Sequence, residues 1–523
     1  MSSPLSSPTH HEGELLSRQR EAPASNDTPP TADDALRIEL ALISHTNAGK
    51  TSLARTLLGK DIGEVRDAPH VTELAEPHTL LATASGEELR LWDTPGFGDS
   101  ARLLKRLRVA DNPIGWLLRE VWDKYRDRPF WCSQQAVRAA RDSADVVLYL
   151  VNAAEDPRDA GYVAPEMQVL RWVGRPIIVL LNQTGPPRPQ ADEAAEVERW
   201  REHLAPQGEI GAVLALDAFA RCWVQEAVLL DAVARVLPAA KQPACARLRD
   251  EWAQQNRARF AASMRTLARH LVLAAREREP LPRQEDGAWQ KLLRAVGVAR
   301  NEMEAARTHA MSQLTQRLDA ASRAATEELI ALHHLHGSAA QTVLERLQQN
   351  YQAREDVSEA GGALLGSVLT GALTGLKADL AAGGLTLGAG LLVGGIVGGL
   401  AGAGAARGIN VLRGEPDVRW SEAFLDGLVR SSVLRYLAVA HFGRGRGRWV
   451  EGEAPAFWQA EVEDVVQADI GTWHALWQQL HEPQAADGES AAEAAVADAL
   501  AAACARVLER LYPAAVGVLG ASA

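Results

Sequence analysis

The stretch Ile38-Glu-Leu-Ala-Leu-Ile-Ser-His-Thr-Asn-Ala-Gly-Lys-Thr-Ser-Leu-Ala-Arg-Thr-Leu-Leu58 decides how this chain is read. An apolar run, Ile38–Ile43, gives way to a polar loop with one glycine and then to a helical pattern from Ser52. Strand, loop and helix in that order are what a P-loop requires. Its backbone N–H groups wrap a β-phosphate, and the helix turns its partly positive end toward the same anion. Asn47, Ala48, Gly49, Lys50, Thr51 and Ser52 are then the phosphate-binding candidates. Lys50 reaches the β- and γ-phosphates, and the Thr51 hydroxyl ligates Mg²⁺. The usual string opens on a glycine that serves a tight turn. Ser44 stands in that place, so a slightly different loop is expected.

Working outward, a second string, Asp93-Thr-Pro-Gly96, follows another strand pattern, Glu88–Trp92. Asp93 is placed to hold the Mg²⁺ shell through water, and Gly96 to turn its N–H onto a γ-phosphate. Between the two strings, Thr72 in Val65-Arg-Asp-Ala-Pro-His-Val-Thr72 is the candidate switch threonine. It would be a further Mg²⁺ ligand and, with Lys50, a catalytic residue; the plainer reading makes it a loop hydroxyl. Phe97 follows Gly96 where many GTPases carry a water-orienting glutamine, which predicts slow hydrolysis. After Pro176-Ile-Ile-Val-Leu-Leu181 comes Asn182-Gln-Thr-Gly185, where a GTPase has Asn-Lys-x-Asp. Asn182 suits the N7 edge of the base. Gly185 takes the place of the aspartate that accepts from guanine N1 and N2. Each donor left unpaired costs about 1–3 kcal/mol, so guanine selection is the weak point. Leu216-Asp-Ala-Phe219 is a candidate for a backbone contact to the base.

At 523 residues the chain exceeds a single core, which stops growing at roughly 250–300 residues. The net charge of −12 argues against wholesale nucleic-acid binding. Cys132, Cys222, Cys245 and Cys504 share no ligand-like spacing, which fits a reducing, cytoplasmic setting. Residues 1–35 read as a disordered tail, since Met1–Thr31 is rich in Ser, Pro and Glu with no apolar core. Residues 36–240 alternate strands and helices as a doubly wound, mostly parallel α/β domain. Its strands are expected at Ile38–Ile43, Thr79–Thr83, Glu88–Trp92, Val146–Val151, Pro176–Leu181 and Ala212–Leu216, with extra helices between Phe97 and Ala144.

The remainder reads as mainly α-helical. Residues 241–356 show apolar positions three and four apart without a sustained heptad, as in a helical bundle or stalk. Residues 357–410 form a glycine-rich hydrophobic hairpin pattern. Leu380–Ala406 carries no charge and would run about 40 Å as a helix, more than a hydrocarbon core of about 30 Å. Glycines four apart, such as Gly384 and Gly388 or Gly394 and Gly398, let helices touch closely in lipid. In water each would cost roughly 1 kcal/mol of helix stability. The preferred reading is a membrane-inserted hairpin at the cytoplasmic face of the inner membrane; the alternative is a buried hairpin in a soluble helical domain. Residues 411–523 read as a helical C-terminal domain, with a basic glycine turn at His441-Phe-Gly-Arg-Gly-Arg-Gly-Arg-Trp449.

On Thr46-Asn-Ala-Gly-Lys-Thr51, Asp93-Thr-Pro-Gly96 and Asn182, the N-terminal domain resembles the Era/TrmE-like branch of P-loop GTPases. The resemblance implies GTP and GDP as ligands, Mg²⁺ as cofactor, and a missing catalytic glutamine, which Phe97 fits. It also implies a K⁺ ion held by Asn47 that assists hydrolysis. The rest resembles a bacterial GTPase family with a C-terminal domain of unknown function. The matching marks are Gly63-Glu-Val-Arg-Asp-Ala-Pro69, the glycine pairs and Arg435-Tyr-Leu-Ala-Val-Ala-His-Phe-Gly-Arg-Gly-Arg-Gly447. The leading expectation is a GTP-binding switch coupled to a membrane-associated helical domain and to a protein partner. A second is a dynamin-like, homo-oligomeric membrane-remodelling protein. A third is a soluble assembly GTPase for ribosomes or tRNA.

Overall fold

A computed structural model describes residues 36–59, 75–108, 112–119, 127–185, 187–218, 221–281, 298–335, 417–442, 455–482 and 488–518. Thr72, the N-terminal tail, the glycine-rich stretch 357–410 and most of the basic glycine turn lie outside the described residues.

The N-terminal half is built on a six-stranded sheet in the order β2-β3-β1-β4-β5-β6. Its strands are β1 (Arg37–Ser44), β2 (Glu76–Ala82), β3 (Glu88–Asp93), β4 (Val146–Asn152), β5 (Ile177–Asn182) and β6 (Ala212–Ala215). All neighbours run parallel except β2, which pairs antiparallel with β3 at one edge. The parallel strands read as apolar runs because both sheet faces are covered. Alternation along β1 separates the two cores: Ile38, Leu40 and Leu42 face one, Ala41 and Ile43 the other. On the first side pack α1 (Lys50–Leu58), α7 (Trp223–Val236) and the start of α8 (Gln242–Arg276). The second side carries α2 (Ser100–Leu107), α3 (Pro113–Arg119), α4 (Arg128–Asp142), α5 (Val163–Val173) and α6 (Gln190–Leu204). This is a doubly wound α/β domain, and α2 to α4 are extra helices after the second string.

Ser44 answers the question of the missing glycine. It ends β1 in ordinary strand conformation, wholly buried, and the left-handed residues come later, at Asn47 (φ 66°) and Gly49 (φ 85°). No glycine is demanded at position 44.

The C-terminal half is helical, as its periodicity indicated. The long helices α8 and α9 (Val298–Leu332) share one core with α10 (Glu422–Ala440), α11 (Ala456–Ala468), α12 (Ile470–His481) and α13 (Gly488–Leu511). Leu267, Leu271, Leu314, Leu318, Leu434 and Leu508 are all buried in it. A two-residue pairing, β7 (Glu279–Pro280) with β8 (Asp417–Val418), fixes the end of α8 against the start of the later helices. Cys222, Trp223 and Val224, at the start of α7, belong to this helical core, while Leu229 and Val233 further along α7 belong to the sheet's. One helix therefore spans both. Among the described residues no helix is long and apolar enough to cross a membrane.

Candidate functional site

The loop between β1 and α1 ends in Gly49 (φ 85°, ψ 25°), and no side chain caps the helix that follows. Its first turn carries no acidic residue. A helix start of this kind leaves its first N–H groups pointing outward with a partial positive charge, an arrangement suited to phosphate. Lys50 is buried at 8 % exposure and donates from Nζ to Ser44 Oγ at 3.2 Å. Burial pulls its pKa down, while the charges of Asp93 and Glu166 pull the other way. A cation so placed is stabilised by anions, and a phosphate would add to them. A Cβ at Gly49 would sit 2.6 Å from Asn182 Nδ2, so the bare backbone here makes room for the β5 loop.

The two strings meet. Thr51 Oγ1 donates to Asp93 Oδ2 at 2.8 Å, and Asp93 is 4 % exposed at the end of β3. A buried carboxylate beside a hydroxyl is an all-oxygen donor set, the kind a hard cation such as Mg²⁺ prefers. The residues present therefore fit the metal. The following segment is stitched to the P-loop by backbone bonds, Phe97 N to Ser44 O at 2.8 Å and Thr46 N to Phe97 O at 3.1 Å. A Cβ at Gly96 would come 3.1 Å from both Lys50 Nζ and Thr46 Cα, which shows how closely this glycine approaches the loop. The Phe97 side chain is fully buried in the sheet core, away from any position where it could orient a water.

At the other end of the site Asn182 is wholly buried. Its Nδ2 donates to Ala48 O at 2.7 Å, and its Oδ1 accepts from Ala218 N at 2.8 Å. Gln183, in left-handed conformation at φ 60°, adds a bond from Nε2 to Asn47 O at 3.3 Å. Asn182 thus ties the P-loop, the β5 loop and the β6 loop together. The β6 loop is also held to α1, where Thr56 Oγ1 donates to Ala218 O at 2.8 Å.

Two carboxylates that the motif reading did not single out as site residues belong to this region. Glu166, wholly buried at the start of α5, accepts from Tyr149 OH at 2.8 Å and from the Ser100 hydroxyl. It also bonds His45 Nδ1 at 2.7 Å, and the His45 ring stacks on Tyr162 at 4.4 Å. The P-loop and the first residue of α2 therefore share one anion. The signal was there in Val163-Ala-Pro-Glu166-Met: a charge on a turn whose neighbours are apolar. Asp217, 4 % exposed, accepts at Oδ2 from Thr184 N at 2.6 Å and from Thr184 Oγ1 at 3.1 Å. The sequence reading gave the Leu216–Phe219 string a backbone role only.

Asn47 to Ser52, Asp93, Gly96 and Asn182 are thus brought into one contiguous region; Thr72 falls outside the described residues. Residues 201–502, more than half of the chain, match the family described as a domain of unknown function, DUF3482. The chain belongs to the DUF3482 family. Residues 39–183 match the family described as 50S ribosome-binding GTPase, which supports a P-loop GTPase domain in the N-terminal half. The DUF3482 match starts within α6, so β6 and the Asp217 loop lie inside it. No curated protein matches the chain. Among solved structures, Era in complex with MgGDPNP and a 16S ribosomal RNA fragment is 16 % identical, with a TM-score of 0.30. An Aquifex aeolicus Era variant bound to GDP and aluminium fluoride is 18 % identical, with a TM-score of 0.29. Each alignment covers 39 % of this chain and 57 % of the other, so the chain spans little more than half the length of either. An oligomerised bacterial dynamin pair aligns over 92 % of this chain and 70 % of the other, at 10 % identity and a TM-score of 0.20.

Proposed function

We propose that this protein is a nucleotide switch that hydrolyses GTP slowly with Mg²⁺ and relays its state through the C-terminal helices. The observation that carries the reading is the Thr51–Asp93 contact at 2.8 Å. It joins two strings 42 residues apart next to the uncapped start of α1. In this reading the N–H groups of Asn47 to Ser52 cradle the phosphates and Lys50 places its charge on the β- and γ-oxygens. Thr51, Asp93 and Thr72 would hold Mg²⁺, which when bound neutralises charge on the transferring phosphoryl group. Gly96 directs its N–H to the γ-phosphate, and Asn182 meets the N7 edge of the base. Such preorganised donors stabilise the charge that develops in phosphoryl transfer. With Phe97 buried, nothing at that position orients the attacking water, and unassisted turnover on the order of once per minute or slower is expected.

Lys50→Ala is expected to abolish both GTP binding and phosphate release. Undiminished turnover in that variant would end the proposal. Asn47 is the residue through which K⁺ would act, so turnover should be faster in K⁺ than in Na⁺; equal rates would remove K⁺ from the account. The relay is supported by α7, whose Trp223 Nε1 donates to Tyr436 OH on α10 at 3.1 Å. The membrane-associated part of the reading rests on the charge-free run Leu380–Ala406. Carbonate-resistant pelleting of the full chain is expected, and a fully extractable protein would contradict it.

A further inference from the structure

Guanine presents two donors side by side, N1–H and the 2-amino group, where adenine presents an acceptor at N1. A carboxylate facing that edge binds guanine through charge-assisted hydrogen bonds and repels adenine. The β5 loop has no such group, because Gly185 occupies the position at φ 85°. A Cβ built at Gly185 would meet nothing within 4 Å, so the space a side chain would fill is open.

An acidic side chain reaches this space from the neighbouring strand. β5 and β6 run parallel with Leu181 beside Ala215, so their following loops leave the sheet next to each other. The Asp217 carboxylate is fastened to Thr184 by the backbone N–H at 2.6 Å and the hydroxyl at 3.1 Å, one residue before Gly185. The next residue, Ala218, gives its N–H to Asn182 Oδ1, so the β6 loop is tied to Asn182 as well as to Thr184. Thr184, Gly185 and Asp217 line a cleft together with Glu193 and Tyr512. Burial pushes the Glu193 carboxyl up, and the negative charge of Asp217 adds to that push.

Resting on the GTP-binding reading above, we propose that Asp217 is the guanine-reading carboxylate of this protein. It accepts N1–H and the 2-amino group from the β6 loop, in place of the aspartate that the β5 loop lacks. Base selectivity is thereby retained although the usual string is broken at Gly185.

The test uses the full chain with Mg²⁺ and displacement of a fluorescent guanine nucleotide by GDP, XDP and ADP. Wild type should prefer GDP over ADP and XDP. In Asp217→Asn the carboxamide can donate to the 2-oxo group of xanthine, so XDP should bind more tightly. GDP should bind about tenfold more weakly or worse, as expected for losing a hydrogen bond to a charged group. The gain for XDP cannot come from a misfolded variant. Loss of GDP binding without a gain for XDP would overturn the assignment, since a purely structural aspartate predicts that pattern. Wild-type binding that is lost in Lys50→Ala but unchanged in Asp217→Asn would overturn the assignment alone. A wild-type protein that binds no guanine nucleotide would overturn the GTP reading and this assignment with it.

Discussion

Asn182 shows how much a single side chain carries at this site. Its amide bonds Ala48 O and Ala218 N, and both of those backbone groups lose their partner if the side chain is removed. Each orphaned buried group costs about 1–3 kcal/mol. Asn182→Ala is therefore expected to lower the urea-unfolding free energy of the N-terminal domain by roughly 2–6 kcal/mol in total, counting both groups. It should also weaken GDP binding at least tenfold. A variant with wild-type stability would show that Asn182 serves the base alone. The P-loop lysine, its threonine and Asp93 were legible from sequence because each sits in a short local string after a strand. Glu166 and Asp217 were not, because their meaning lies in partners far along the chain: His45 is 121 residues from Glu166, and Thr184 is 33 from Asp217.

The elements that would respond to nucleotide are already coupled. The segment after Asp93 is bonded to the P-loop through Phe97, and α2 begins at Ser100 on the same Glu166 that holds His45. A displacement of the P-loop therefore reaches α2 through a few hydrogen bonds. Glu166→Gln keeps the shape but removes the charge and one acceptor among three donors. The expected loss is about 1–3 kcal/mol in urea unfolding, the cost of leaving a buried donor unpaired. An unchanged unfolding curve would mean that the cluster relaxes around the amide. All six strands were legible from apolar runs, to within three residues at their starts and one at their ends. Strand order was not, since order follows from which helix crosses which face, and one strand's pattern does not specify its neighbour.

At the scale of the molecule, α7 joins the sheet core to the helical core, and the helical core contains buried histidines. His270 Nε2 lies 2.8 Å from Ser322 Oγ, and His333 Nε2 lies 3.3 Å from Ser263 Oγ. Burial holds both imidazoles down at about 3, with Arg435 near His270 and Arg259 near His333 acting in the same direction. In the unfolded chain each ring takes a proton below about 6.5. Between about 6.5 and about 3 the unfolded state thus binds protons that the folded state does not. Stability is complete above that window and falls as the pH drops through it. Each histidine should account for about 2 kcal/mol lost at pH 5. Urea unfolding of wild type and His270→Gln at pH 7 and pH 5 should show a smaller pH effect in the variant, by about that amount. Equal pH effects would mean that His270 is charged in the folded protein. That the region is helical was legible from three- and four-residue spacing. That α8, α9 and α10 to α13 share one core was not, because periodicity gives a helix its buried face without naming what covers it.

The proposed switch requires that the P-loop, Asp93 and Asn182 form a working guanine-nucleotide site. Its most direct test is calorimetric titration of GDP and GTP, with Mg²⁺ and K⁺ present, into wild type and Lys50→Ala, followed by competition with ATP. Binding of both guanine nucleotides to wild type, loss of binding in Lys50→Ala and weak competition by ATP are the predicted results. A wild-type protein without measurable heat for either nucleotide, or one from which ATP displaces GTP equally well, would contradict the account.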